Sequence, residues 1–278
     1  MTTNDIDVPL ILAVAPNGAR KTKADHPAIA ISPDEIAAEA ARCREAGAAM
    51  IHLHVRDADN KHSLDADAYA QATAAVRREV GDGMIIQMTT EAVGIYTPAE
   101  QMAAVRAVRP EAASMAVREL CADEAAVPAF AAFLAWMAGE RIMPQYILYA
   151  AEDVARFADL QRRGVIPGGR PFLLYVLGRY TTGQKSVPED LLPFMAEAGT
   201  LDADWAICAF GARECACALT AAALGGHVRV GFENNVLMAD GSVARDNAAL
   251  AGQVASGAKL LGRSLAGADE ARAYLGRS

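Results

Sequence analysis

Met50-Ile51-His52-Leu53-His54-Val55-Arg56-Asp57 decides how the rest of this chain is read. In a strand, successive side chains point to opposite faces, so Ile51, Leu53 and Val55 face a helix layer while His52 and His54 share the other face. Runs of the same kind recur at 10–15, 84–88, 112–116, 141–148, 172–177, 205–210 and 227–232, which with 50–55 makes eight strand candidates. Alanine-rich amphipathic segments lie between and after them, at 32–47, 65–80, 98–108, 124–138, 151–163, 188–198, 212–224 and 247–257. The first has clear end signals: Ser32 can cap it, Pro33 suits its first position and Gly47 ends it. Alternation of this kind, with about eight strands in about 250 residues, predicts a (β/α)8 TIM barrel. The whole chain, 1–278, then forms one barrel domain with a C-terminal helical extension. A doubly wound open sheet is the runner-up, but no glycine-rich dinucleotide fingerprint follows the first strand and no P-loop occurs.

Composition agrees. Of 278 residues, 53% are hydrophobic and only 6% aromatic, which excludes disorder and a fibrous repeat and disfavours a β-sandwich. The net charge of -8 and a pI near 5.2 lack the positive excess of a nucleic-acid or anionic-membrane binder. Residues 1–8 resemble no signal peptide and no segment reads as a membrane span, so a cytoplasmic protein is expected. Five scattered cysteines read as reduced thiols. Cys215 and Cys217 face apart on a helix, which argues against a metal pair.

In a barrel, chemistry sits at the C-terminal ends of the strands. His52 and His54 lie there, and in the stretch 225–235 His227, Arg229, Gly231 and Glu233 share one parity, with Glu233 at the end of the eighth strand. Strands two and eight flank strand one in a closed barrel, so His52, His54 and Glu233 can converge on one ion, a set that suits catalytic zinc. The plain alternative is ordinary hydrogen-bonded interior histidines and a carboxylate paired with an arginine. His227 lies deeper and reads as a supporting group; His26 and His62 lie in loops and read as non-catalytic. Thr89 and Thr90 offer hydroxyls to a substrate oxygen, or serve only as turn residues. The loop carrying Asn17, Arg20, Lys21 and Lys23 is either a receiver of an anionic ligand or a solvated basic loop. Ser114 faces the barrel mouth or merely packs.

Taken in order, these residues resemble the β-keto acid cleavage enzymes across nearly the whole chain. The likeness is carried by the Asn17-Gly18-Ala19 loop with its proline-containing sequel at 26–33, G-A-x-M-I-H-L-H-V-R-D at 47–57, Q-M-T-T at 87–90, Pro110-Glu111, V-L-G-R at 176–179 and G-G-H-V-R-V-G-F-E-N-N at 225–235. The resemblance implies a barrel, a zinc ion on His52, His54 and Glu233, and a homo-oligomer, commonly a tetramer. It also implies that a β-keto acid and acetyl-CoA react to give acetoacetate and a new acyl-CoA. Arg229 then stabilises developing negative charge and Thr89 binds substrate near the proton removed.

Two positions depart from the family pattern. Asn234 stands where the namesake enzyme has an acidic residue that takes the substrate's proton, and a neutral amide cannot accept it, so Glu91 or a zinc-bound hydroxide is the substitute. Arg20 stands where the namesake has a glutamate for the substrate's amine, which predicts a neutral or anionic tail. The expected catalytic group is thus Arg229, Thr89, Asn234 and Glu91, and the expected substrate-binding group is Asn17, Arg20, Thr90 and Ser114. Two rival functions are a zinc amidohydrolase, which draws further histidines from the fifth and sixth strands where this chain has none, and a non-catalytic small-molecule binding barrel.

Overall fold

The computed structural model describes residues 8–199 and 201–276. Eight parallel strands close into a barrel in chain order: β1 Leu12–Val14, β2 Met50–Leu53, β3 Ile85–Thr89, β4 Ala112–Ala116, β5 Met143–Leu148, β6 Phe172–Leu177, β7 Asp204–Ala209 and β8 His227–Val230. Each strand lies within two residues of its expected bounds. Strand β1 pairs with both β2 and β8, placing Ala13 opposite Met50 on one side and Arg229 on the other. That register brings the histidine strand and the glutamate strand to the two sides of one short strand.

Alternation sorts the side chains into two cores. Ile51, Leu53 and Val55 join the larger core between barrel and helices, whereas Met50 joins a smaller interior core with Ile11, Ala13, Ile85, Ala112 and Leu174. Each fully buried Leu, Ile or Phe contributes roughly 1.5–3 kcal/mol, and the outer core holds most of them, among them Phe130, Phe133 and Phe157. Alanine is not confined to the helical ring. Ala13, Ala112, Ala116 and Ala206 join the barrel interior, where they pack beside the larger Ile11, Ile85, Phe172 and Leu174.

The helix Pro33–Glu45 begins as expected, with a reciprocal capping box between Ser32 and Glu35 and proline at its first position. The segment expected as one helix at 188–198 is instead a 3-10 turn, Pro188–Leu191, followed by a helix, Leu192–Ala198. Pro193 has no N–H to continue the first set of bonds. Two short strands, Val55–Arg56 and His62–Ser63, form a hairpin that the sequence reading assigned to the end of strand two and a loop. The helix Ala268–Tyr274 lies at the N-terminal end of the barrel: Tyr274 donates to Asp204 Oδ1 at 2.6 Å and Arg272 pairs with Glu111 at 2.7 Å. All five cysteines are free and buried. Among the described residues no helix is long and apolar enough to cross a membrane.

Candidate active site

His52 and Gln87 are register partners on β2 and β3, and both face the barrel interior. The His52 ring meets Gln87 Oε1 through Nδ1 at 2.8 Å, while Gln87 Nε2 donates to Gln145 Oε1 at 3.0 Å. Because Gln87 spends its amide N–H on Gln145, its oxygen must accept, so His52 carries its proton on Nδ1 and presents a lone pair at Nε2. Burial, reinforced by the nearby Arg229 guanidinium, holds this imidazole well below its usual pKa, hence neutral. His54, just beyond the strand, has its carbonyl held by Asn17 Nδ2 at 3.1 Å and points Nε2 to within 3.1 Å of His52 Nε2.

Glu233 completes the group. Its Oε2 lies 3.7 Å from His52 Nε2 and 3.4 Å from His54 Nε2, and Arg229 Nη2 donates to its other oxygen at 3.1 Å. Burial pushes the Glu233 carboxyl up, but Arg229 and the two imidazoles bring it well below the usual carboxylate range, so it is ionised. The loop that carries it is clamped. Gly231 has φ +135°, and a Cβ there would sit 2.5 Å from Ala15 O, so only glycine fits. A Cβ on Gly18 would likewise press within 2.6 Å of Glu233 Cγ. Lys21 Nζ donates to the carbonyls of Phe232 and Glu233 at 2.7 and 2.9 Å, and the buried Glu214 accepts from Gly231 N–H at 3.0 Å.

One atom from each of His52, His54 and Glu233 lies within 4.8 Å of the others, and among the described residues this is the one such group. Glu233 Oε2 has no hydrogen-bond donor despite its burial. An unsatisfied anionic oxygen facing imidazole nitrogens is costly unless a cation is shared between them, and two histidines with one carboxylate are a donor set for a divalent metal. The residues present therefore fit a metal ion.

Facing this group is a cavity of about 20 Å³ lined by His52, Thr89, Glu91, Arg179, Arg229 and Glu233, with apolar walls from Ile147, Val176 and Phe210. Thr89 Oγ1 accepts the Glu91 N–H at 3.0 Å, leaving its hydroxyl proton free to donate. Burial raises the Glu91 carboxyl, with Glu233 adding to the rise and His54 opposing it. Arg229 keeps Nε and Nη1 without partners. A second cavity of about 50 Å³ adjoins, lined by Asn17, Arg20 and Lys21 and sharing Glu91, Arg179, Phe210 and Glu233 with the first.

Of the residues expected from sequence, His52, Glu233, Arg229, Thr89 and Glu91 line one cavity, His54 stands against His52 and Glu233, and Asn17 and Arg20 line the neighbouring cavity. Three others do not reach either. Thr90 faces away from Thr89 across the strand and gives its hydroxyl to Ser114 O at 3.0 Å. Ser114 shares the interior parity of Ala112 but, paired in register with Thr89 and Gln145, sits below the cavity. Asn234 follows Glu233 by one residue and turns the opposite way, its amide 3.4 Å from Glu214 Oε1. In the basic loop Arg20 and Lys21 both line the second cavity, but Lys21 Nζ is spent on carbonyls and Lys23 pairs with Glu35 at 2.7 Å. His26 is held by Ala244 O and the Ala28 N–H. His62 stands against the site, its ring centroid 5.4 Å from that of His54 and its Nε2 2.8 Å from Glu91 O.

Arg179, which the sequence offers only as the end of V-L-G-R, and Tyr149 have no role in the sequence reading, although each follows a strand end by one or two residues and the rim rule applies to them equally. Gln145 and Glu214 carried no local signal; their roles rest on contacts far along the chain.

Comparison with known proteins adds a third line of observation. The family model described as beta-keto acid cleavage enzyme matches residues 9–276. The chain is 32% identical to a 3-keto-5-aminohexanoate cleavage enzyme of Fusobacterium nucleatum, over 96% of this chain and 97% of that one. It is 29% identical to a 3-oxoadipate:acetyl-CoA acetyltransferase of Cupriavidus necator, over 96% and 95% respectively. Among solved structures, apo ObcA superposes with a TM-score of 0.71 at 17% identity, covering 90% of this chain and 66% of that longer protein, which supports the barrel fold.

Proposed function

The chain belongs to the β-keto acid cleavage enzyme family, and from that premise we propose that it condenses a β-keto acid with acetyl-CoA and releases acetoacetate and a new acyl-CoA, using a zinc ion on His52, His54 and Glu233. The observation that carries the reading is the convergence of those three side chains on one another beside a cavity that His52, Glu233, Thr89, Glu91 and Arg229 line. The relatives' names include an amino acid tail, a diacid and a trimethylamine, so they support the reaction and leave the tail open.

When bound, zinc supplies Lewis-acid polarisation of the substrate's keto and carboxylate oxygens, which acidifies the carbon between them. Thr89 donates its hydroxyl proton to the substrate and orients that carbon toward Glu91. Glu91, its carboxyl raised by burial toward the working pH, accepts the proton. The resulting carbanion attacks the acetyl thioester and expels CoA. The CoA thiolate then adds to the original keto carbon, the bond from that carbon to the former carbanion breaks, and the carbanion so released takes back the proton held on Glu91, leaving acetoacetate and the acyl-CoA of the tail. Arg229 directs its unpartnered Nε and Nη1 at the oxygens that gain charge in both carbonyl additions. Asn234 and Thr90 act from behind the cavity by holding Glu214 and the Ser114 carbonyl. A homotetramer, which the family likeness supports, is part of the same reading.

The test is incubation with acetyl-CoA and a panel of β-keto acids, with and without chelator, with detection of acetoacetate. Acetoacetate formed only without chelator is the expected result. Activity that survives complete removal of divalent metal overturns the metal assignment, and no cleavage of any β-keto acid overturns the reaction.

A further inference from the structure

Glu91 is gripped by two guanidiniums from different loops. Arg179, after β6, places Nη2 3.2 Å from Glu91 Oε1, and Arg20, after β1, places Nη1 3.4 Å from the same oxygen. This grip is the partition between the two cavities, since Glu91 and Arg179 line both. A substrate that reaches from the Arg229 side of the one cavity to the Arg20 side of the other has to part Glu91 from its arginines.

Parting them has an electrostatic consequence. Arg179 is only 16% exposed, lies over the Phe210 ring at 5.3 Å, and has Glu91 as its acidic partner. A guanidinium so buried is costly without an anion. The grip sets two positive groups against one carboxylate, so when Glu91 leaves, another carboxylate can take its place opposite them.

We propose that the anion which replaces Glu91 is a second carboxylate at the far end of the substrate, making Arg179, aided by Arg20, the specificity-determining receptor for β-keto dicarboxylates. Glu91 is a built-in stand-in for that carboxylate, and its displacement frees it for the reacting carbon. A methyl tail leaves Arg179 unpaired, and an ammonium tail meets two like charges. The inference rests on the β-keto acid reading above.

The test has two arms on the full-length protein. In the first, kcat/KM is compared for six-carbon β-keto acids ending in carboxylate, methyl or ammonium at saturating acetyl-CoA. In the second, calorimetry compares adipate with hexanoate, which differ by the second carboxylate and undergo no turnover. We expect at least a tenfold preference for the carboxylate tail in both arms, about what one charge-assisted hydrogen-bonded pair provides. Arg179→Gln should erase most of that preference, and Arg179→Lys should restore part of it. Glu91→Gln should bind adipate more tightly than the wild type, because the competing anion is gone. Equal treatment of all tails, equal loss of adipate and hexanoate in Arg179→Gln, or weaker adipate binding in Glu91→Gln overturns the receptor. If no β-keto acid is cleaved, the reaction falls, and the adipate-to-hexanoate ratio still decides the receptor.

Discussion

The two ends of the barrel both bury histidine and charge, yet they treat them in opposite ways. At the N-terminal end His227 accepts the Ile11 N–H at 3.0 Å, Arg263 donates to the carbonyls of Val8, Ala222, Gly225 and Gly226, and Glu111 is paired with Arg77 and Arg272. At the C-terminal end Glu233 Oε2 and two of the Arg229 nitrogens are buried and without partners, beside the His52 and His54 Nε2 atoms. Buried polar groups that complete each other hold a fold together; buried polar groups that converge without completing each other are prepared for a ligand. Histidines from one sequence thus divide by their partners, not by residue type.

The sharpest way to break that contrast is at His54. His54→Ala should abolish metal binding and lower turnover of acetyl-CoA with a β-keto acid by ~10³-fold or more, as expected when a Lewis-acid centre is lost, while urea unfolding of the metal-free protein changes little. A smaller effect is expected one layer back. Gln87→Leu removes the acceptor that fixes the His52 tautomer, and competition with a chromogenic chelator should show a loss of about 10–100-fold in metal affinity.

The smallest effect belongs to the other end. His227→Leu leaves the Ile11 N–H without its acceptor and should cost about 1–3 kcal/mol in urea unfolding at neutral pH, with metal affinity unchanged. Burial lowers the His227 imidazole to about 3. The unfolded chain therefore binds a proton that the native state refuses, so this group removes stability as pH falls from about 6.5 toward 3, at up to about 1.4 kcal/mol per pH unit. His227→Leu should make the acid limb of the stability profile shallower by about one proton.

The barrel and the convergence of His52, His54 and Glu233 were legible because both depend on parity along single strands. His52, Arg229 and Glu233 are placed by counting residues from a strand end, and the register of β1 with β2 and β8 does the rest. The hairpin at Val55–Arg56 and His62–Ser63 was hidden because each strand is two residues long, too short to alternate, and with it the position of His62 beside His54. Thr90 and Asn234 show the limit of reasoning by neighbourhood. Each adjoins a residue of the cavity, and each is turned from it, Thr90 by the strand pleat and Asn234 by the loop that Glu214 and Gly231 shape. Arg179 was legible in principle from its place after β6, but its pairing with Glu91 joins residues 88 apart.

The most direct test of the contrast is metal stoichiometry by elemental analysis of the purified wild type, His54→Ala and His227→Leu proteins after equilibration with a divalent metal and gel filtration. About one ion per chain is expected in the wild type and in His227→Leu, and none in His54→Ala. A wild-type protein without stoichiometric metal, or a His54→Ala protein that retains it, would contradict the reading of the C-terminal rim as a metal centre.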